Sequence, residues 1–259
     1  MAGPVAFKIR VQALAKAYGE GAGSHLALRD FSLDVAEGEF VCLLGPSGCG
    51  KTTALRIMAG LEQASAGSVV TTPPAAGQPA NSMVFQEHGL FPWMTAVQNA
   101  AYGLEMRGVG RREREARAMA FLGRIGLARF RDHYPHQLSG GMRQRVSLAR
   151  AFVNDPDILL MDEPFAALDA QTKLVLQEEL LALWEAERKT VVFVTHGIDE
   201  ALALGDRIVV MTGAPGRIKQ VVPVPFARPR DPAALRANPE FGRLSLEIWH
   251  LIEREAHAA

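Results

Sequence analysis

The stretch Gly45-Pro46-Ser47-Gly48-Cys49-Gly50-Lys51-Thr52-Thr53 constrains this chain more than any other. An apolar run, Phe40 to Leu44, leads into it, and a helix-patterned run, Ala54 to Ala59, leads out. Strand, glycine-rich turn and helix in that order turn the pattern G-x-x-x-x-G-K-[ST] into a phosphate site. Gly45, Gly48 and Gly50 can take backbone angles closed to other residues and let the main chain approach a ligand. The loop amides and the positive end of the following helix then face one point, which suits a polyphosphate. Lys51 adds a mobile positive charge for the outer phosphates, and the Thr52 hydroxyl suits Mg²⁺. A plain glycine turn opening a helix would lack this strand-to-helix context.

Composition narrows the partners. Lys plus Arg equals Asp plus Glu, 28 each, so the chain lacks the basic excess expected of a nucleic-acid binder. No apolar run approaches the roughly eighteen residues needed to cross a bilayer. The start, MAGPVAFKIRV, lacks the charged-then-apolar order of a secretory signal. Both cysteines, Cys42 and Cys49, lie in the strand and the phosphate loop, where a bridge would distort the loop; free thiols in a reducing compartment are expected. Contact with a membrane would have to pass through a partner.

Along the chain, 7–12 and 31–35 read as short alternating strands around a glycine-rich turn at 19–24, with Tyr18 at its edge. Read alone, Tyr18 is either a packing aromatic or a face on which adenine stacks. Strands are expected at 67–72 and 82–86, the second ending at Gln86, with a Pro/Ala/Gly connector at 73–81. An apolar loop, 87–94, carries Phe91, Pro92 and Trp93 and is either buried or an interaction surface. Thr95 is placed to cap a helix with Val97, Ala101, Leu104 and Met106 on one face. A charged helix over 111–126 follows, with Ala116, Met119, Ala120, Leu122 and Ile125 inward. This helical stretch interrupts the strand–helix alternation and reads as a subdomain.

Ser139 then caps a helix whose first residues, Gly140 and Gly141, bare their amides, a second candidate phosphate site. Arg143 and Arg145 lie in its first turns, where helix polarity disfavours cations. Either they supply positive potential for an anion or their side chains point to solvent. Ile158 to Met161 reads as a buried parallel strand ending in Asp162 and Glu163. Carboxylates at the carboxyl end of such a strand sit where open α/β sheets bind ligands. In phosphate-loop enzymes the first holds Mg²⁺ through its shell, and Glu163 is placed to polarise a water. Ala166 to Asp169 turns into an amphipathic helix, 170–187. Strand 190–195 ends in His196, at the same sheet edge as the acidic pair. A short helix at 198–204, a hairpin of strands near 207–211 and 218–222, and a proline-broken tail follow. The last helix carries Leu244, Ile248, Trp249, Leu251 and Ile252.

Taken in order, the phosphate loop, Gln86, Leu-Ser-Gly-Gly-Met at 138–142, Ile158 to Glu163, Ala167-Leu168-Asp169 and His196 resemble the ATP-binding subunit of an ABC transporter over nearly the whole chain. The resemblance implies an α/β fold: a P-loop NTPase (RecA-like) core with an antiparallel β subdomain and an inserted α-helical subdomain. One ABC-type domain would span 1–259, with its helical part at about 95–150 and a tail at about 223–259. It implies a Mg²⁺-dependent ATPase in which Tyr18 stacks on adenine and Gln86 links Mg²⁺ and the attacking water to the membrane partner. Asp162 would join Thr52 and Gln86 at the metal. Glu163 would be the general base and His196 the γ-phosphate sensor. Ser139, Gly140 and Gly141 would contact ATP held by a second copy in a head-to-tail dimer, with Asp169 a cross-dimer contact.

The 84–108 segment, Pro164 to Ala170 and the 211–218 turn are similar, more narrowly, to subunits that power nitrate, sulfonate and taurine importers. Partners implied are transmembrane permease subunits docking near Phe91, Pro92 and Trp93 and, indirectly, an external solute-binding protein. No nucleic acid is expected. The location implied is peripheral, on the cytoplasmic face of the inner membrane. The rival is a soluble ABC-type ATPase acting on nucleic acid or ribosomes, whose usual coiled-coil arms and zinc modules this sequence lacks.

Overall fold

The computed structural model describes residues 7–19, 23–74, 76–87 and 89–256, so part of the 19–24 turn, Ala75 in the 73–81 connector and His88 lie outside the described residues. By its internal contacts the chain forms two units, 1–73 with 181–259, and 74–180.

The first unit opens with β1 (Phe7–Tyr18) and β2 (His25–Ala36), then β3 (Phe40–Leu44), α1 (Lys51–Met58) and β4 (Ala66–Thr71). β1 pairs antiparallel with β2 on one side and β4 on the other, a three-stranded sheet of its own. Its two long strands run twice as far as alternation predicts. The reason is local: Ala13 and Asp30 take left-handed angles, φ of 46° and 51°, and the β1–β2 register shifts around them. Such bulges carry pairing past a point where the polarity pattern breaks.

The second unit holds β5 (Asn81–Val84), α2 (Ala96–Met106), α3 (Arg111–Arg124), α4 (Gly140–Val153), β6 (Ile158–Asp162) and the start of α5 (Ala170–Glu187). β5 and β6 are parallel, with Val84 beside Met161. Thr95 caps α2 as expected: its hydroxyl accepts from the Gln98 amide while the Gln98 side chain takes the Thr95 N–H at 2.8 Å. The buried faces differ from the expected ones in detail. Met106 is exposed, because Val97, Ala100, Ala101 and Leu104 already fill the inner stripe. On α3 the buried set is Ala118, Phe121, Leu122 and Ile125, while Ala116 and Ala120 face outward and Met119 is half-buried. Phe121, stacked on Phe152 at 5.6 Å, sets that face. Alanines buy too little area to orient a helix.

The chain returns to the first unit through the rest of α5, then β7 (Thr190–Thr195), α6 (Ile198–Leu204), β8 (Arg207–Met211), β9 (Ile218–Pro223), α7 (Pro232–Leu235) and α8 (Pro239–Ala256). β3 lies between β7 and β8 and parallel to both, and β9 closes the edge antiparallel to β8. β3, β7 and β8 are all but fully buried, which fits their near-continuous apolar runs. Phe40, Phe193 and Trp184 pack together beneath them. The proline-broken tail does more than trail: Arg228 donates to the Leu204 carbonyl, and Arg230 to those of Ala203 and Gly205, capping the end of α6. Burial, with Arg228 beside it, pulls the Arg230 pKa down to about 10. On α8, Phe241, Leu244 and Ile248 are buried, and Trp249, expected inward, is 55% exposed.

Candidate active site

Parallel strands deliver the candidate residues of each unit to one edge. In the first, Leu44 pairs with Thr195 and with Val210, so Gly45 and His196 leave adjacent strands at the same level. Beyond Gly45, Gly48 and Gly50 take φ of 77° and 88°, open at little cost only to glycine. A Cβ on Gly50 would also sit 2.7 Å from Leu28 Cδ2 and 2.8 Å from the Ala27 carbonyl. Gly50 is the N-cap of α1, and its carbonyl takes the Ala54 N–H at 2.9 Å.

Lys51 lies 5% exposed inside the loop's curve, donating to the carbonyls of Gly45 at 2.8 Å and Pro46 at 2.9 Å. Pro46, Ser47 and Cys49 complete the turn, and Thr52 and Thr53 stand half-buried in the first turn of α1. Tyr18, at the end of β1, places its hydroxyl 3.4 Å from Thr53 Oγ1 and keeps its ring 38% exposed, with Lys16 Nζ 4.8 Å from the ring centre. The ring is therefore tied to the phosphate-loop helix and still has surface to offer a planar ligand. Cys42 and Cys49 are free and buried, and burial raises the Cys49 thiol pKa against the opposing pull of Lys51.

His196 is exposed directly after β7. Thr195 Oγ1 fixes the turn that follows it, accepting from the Gly197 N–H at 2.9 Å and bonding the buried Glu200 carboxylate. Two contributors escape sequence reading: Glu200, and Gly216 in the turn after β8. A Cβ on Gly216 would lie 1.9 Å from the Cys49 carbonyl, so the phosphate loop rests on that glycine. The signal available was the glycine itself, read there only as a turn residue.

In the second unit, Gln86 stands exposed two residues past β5, at the edge where β6 ends in buried Asp162, with half-buried Glu163 directly after it. Glu163 has φ of 43°, a left-handed backbone without glycine. Non-glycine residues held there cost about 1–2 kcal/mol, and such strain gathers at functional sites.

Elsewhere in that unit Ser139 caps α4, its hydroxyl accepting from the Met142 amide at 3.3 Å. Gly141 is needed because a Cβ would reach Thr172 Cγ2 at 2.7 Å. Ser139, Gly140, Gly141 and Asp169 line one groove of about 410 Å³. Asp169 Oδ1 takes the Thr172 amide at 3.0 Å, and hydrogen bonding from the Thr172 side chain, then from its amide, holds the Asp169 carboxyl pKa below the usual value. The two arginines meet neither expectation. Arg143 donates to the Leu138 carbonyl at 2.7 Å, and Arg145 grips Glu179 through two bonds of 2.7 and 2.8 Å. Arg145, which lines the groove, is thus neutralised by an internal carboxylate, and Arg143 keeps its charge but is turned to a backbone carbonyl, so the groove offers an anion chiefly its helix-start amides and hydroxyl.

The 91–95 loop is ordered from below. Buried Asn99 accepts the Phe91 N–H at 2.8 Å and donates to the carbonyls of Phe91, Met94 and Thr95. Phe91 rests on Tyr102 at 4.5 Å, Pro92 is exposed, and Trp93 is left 68% exposed beside a groove lined also by Glu105, Arg111 and Arg114.

Among the described residues, no group of three or more His, Cys, Asp or Glu could hold a metal by itself. Thr52 in the first unit carries a hydroxyl oxygen, and Gln86 and Asp162 in the second carry amide and carboxylate oxygens, each a donor of the hard kind Mg²⁺ takes. No helix of the described residues is long and apolar enough to cross a membrane.

A phosphate loop between a buried parallel strand and a helix, with carboxylates at strand ends, defines a P-loop nucleotide-binding protein of the α/β class. The pattern described as ABC transporter matches residues 28–166. An uncharacterized ABC transporter ATP-binding protein of Methanocaldococcus jannaschii is 47% identical over 250 residues, 96% of this chain and 92% of that protein. A taurine import ATP-binding protein of Pseudomonas aeruginosa is 43% identical over 243 residues, 92% of each chain. A bicarbonate transport ATP-binding protein of Synechocystis is 41% identical over 258 residues, 96% of this chain and 90% of that one. The solved dimeric structure of a bacterial ABC transporter cassette superposes with a TM-score of 0.74 at 34% identity, covering 85% of this chain and all of that one. The chain belongs to the ABC transporter family, as an ATP-binding cassette and an ATPase.

Proposed function

We propose that this chain hydrolyses ATP with Mg²⁺ to drive substrate import through separate transmembrane permease subunits, in an uptake system of the nitrate, sulfonate and taurine kind. The names of the taurine and bicarbonate relatives support import. The observation that carries the chemistry is the pair Asp162–Glu163 at the end of a buried parallel strand, with Glu163 held in a left-handed backbone.

In this reading Gly45 to Thr53 cradle the phosphates with their amides, and Lys51 exchanges its loop carbonyls for the outer phosphate oxygens. Tyr18 stacks on adenine. Thr52, Gln86 and Asp162 hold Mg²⁺, whose chemistry is to offset charge on the phosphate oxygens. Glu163 accepts a proton from the attacking water, and His196 donates a hydrogen bond to the transferred phosphoryl group. Ser139, Gly140 and Gly141, with Asp169, serve the ATP of a second copy arranged head to tail. Phe91, Pro92 and Trp93 meet a permease, in the helical part at about 95–150 and its preceding loop. The protein works on the cytoplasmic face of the membrane, and a solute-binding protein acts on the far side.

The test is Glu163→Gln in the purified chain. Steady-state phosphate release should fall by about 100-fold or more with ATP affinity retained. Turnover at the wild-type rate would end the base assignment.

A further inference from the structure

The C-terminal helices leave a groove that the ATPase reading does not use. It lies within the first unit, has a volume of about 580 Å³, and is lined by Asp199, Arg236, Phe241, Ser245, Leu246 and Trp249. That volume falls in the range of small-ligand sites. α8 buries Phe241, Leu244 and Ile248 yet leaves Leu246 and Trp249 57% and 55% exposed along the groove. Trp249 makes no ring or cation contact among the described residues, whereas Trp184 is flanked by Arg188 and Arg228. Arg236, just after α7, has no side-chain hydrogen bond or ion pair among the described residues. Its neighbour Arg243 is held by Glu240 and Glu247. Asp199 takes a hydrogen bond from the Ser245 hydroxyl at 3.3 Å and forms no ion pair with Arg236.

One groove thus carries one cation and one anion that do not satisfy each other, with an apolar, aromatic wall. We propose that it binds a small zwitterion with an apolar body, of the amino-acid class. The ligand's carboxylate or sulfonate meets the Arg236 guanidinium, its ammonium meets Asp199, and its apolar part covers Leu246 and Trp249. Charge-assisted bonds at both ends give selectivity, and the aromatic face gives area. Ile198 and Asp199 begin α6, immediately after the turn that Thr195 and Glu200 fix behind His196. A ligand resting there bears on the position of His196, so occupancy alters kcat more than the KM for ATP. That consequence rests on the proposed role of His196; binding itself does not.

Tryptophan fluorescence of the full chain, without nucleotide, reads the site through Trp249. L-Phenylalanine and L-leucine should give a saturable change that disappears in Trp249→Phe. The half-point should move at least about tenfold in Arg236→Ala and in Asp199→Asn, the loss expected for one charge-assisted bond. Phenethylamine and 3-phenylpropionate, each lacking one charge, should bind weaker by a similar factor. Steady-state turnover with L-phenylalanine should shift in the wild type and not in Arg236→Ala. No saturable change with either amino acid, or equal half-points in wild type and Arg236→Ala, overturns the site. Binding with unchanged kcat overturns the link to His196. If Leu246→Glu changes the sedimenting species while no amino acid binds, the groove is an interface between copies and the proposal fails.

Discussion

Glu163 combines two demands on one residue: its carboxylate is wanted at the strand end, and its backbone is wanted where glycine would be cheaper, at φ of 43°. Replacing it separates the two. Glu163→Ala and Glu163→Gly both remove the carboxylate and its contacts, so the difference between them isolates the backbone. The glycine variant should be more stable than the alanine variant by about 1 kcal/mol, because a Cβ is penalised in the left-handed region. Urea unfolding of the pair measures it, and equal midpoints would remove the strain argument. Gly216 poses the opposite case, a glycine whose absent side chain is filled by a carbonyl of the phosphate loop. Gly216→Ala needs the Cys49 carbonyl to retreat from 1.9 Å to ordinary contact, a displacement of more than 1 Å. Misplacement on that scale should lower kcat/KM for ATP by about 100-fold. Wild-type kinetics would show that the loop does not depend on this support. The phosphate loop is legible in sequence because its glycines, lysine and threonine are contiguous and each meets a local backbone requirement. Gly216 is not, since its requirement is imposed by the phosphate loop, far away along the chain.

At the scale of elements, loop 91–95 shows how an exposed aromatic is held ready without being buried. Asn99 on α2 satisfies one N–H and three carbonyls of the loop from a fully buried position. Asn99→Ala leaves those groups without their partner and should cost about 2–3 kcal/mol. In a membrane preparation with its permease it should uncouple the ATPase from transport while the isolated chain keeps its basal turnover. A variant with wild-type midpoint and transport would reduce the network to decoration. The capping of α2 and α4 was readable from Thr95 and Ser139, because a cap is a short-range event. The facing of α3 was not, since alanines on several sides leave the choice to one phenylalanine and its distant partner Phe152. The length of β1 and β2 was hidden for a related reason. Bulges at Ala13 and Asp30 reset the alternation that a strand reading depends on. The proline-broken tail carries no local signal that its arginines Arg228 and Arg230 close the end of α6.

At the scale of the whole molecule, two regions offer amides to an anion: the phosphate loop in the first unit, and the groove of Ser139, Gly140 and Gly141 in the second. In the latter the lining arginine, Arg145, is already paired with Glu179, and Arg143 is turned to the Leu138 carbonyl. A groove built from amides and one hydroxyl is a weak site for free phosphate and a good lid for a nucleotide already neutralised by Mg²⁺ and a lysine. In the proposed head-to-tail arrangement, two copies should therefore associate only when ATP is present and unhydrolysed. In the Glu163→Gln background, which removes the proposed base, ATP should convert the 28.1 kDa chain to a dimer on size exclusion, and ADP should not. Ser139→Arg in the same background fills the groove with a long side chain and should leave a monomer at the same ATP concentration. Losing the cap costs about 1 kcal/mol, which a chain of this size tolerates. Retained ATP binding in that double variant shows that the phosphate loop is intact, so a missing dimer reports on the groove alone. A dimer that forms equally with ADP, or that survives Ser139→Arg, would place the contact between copies elsewhere.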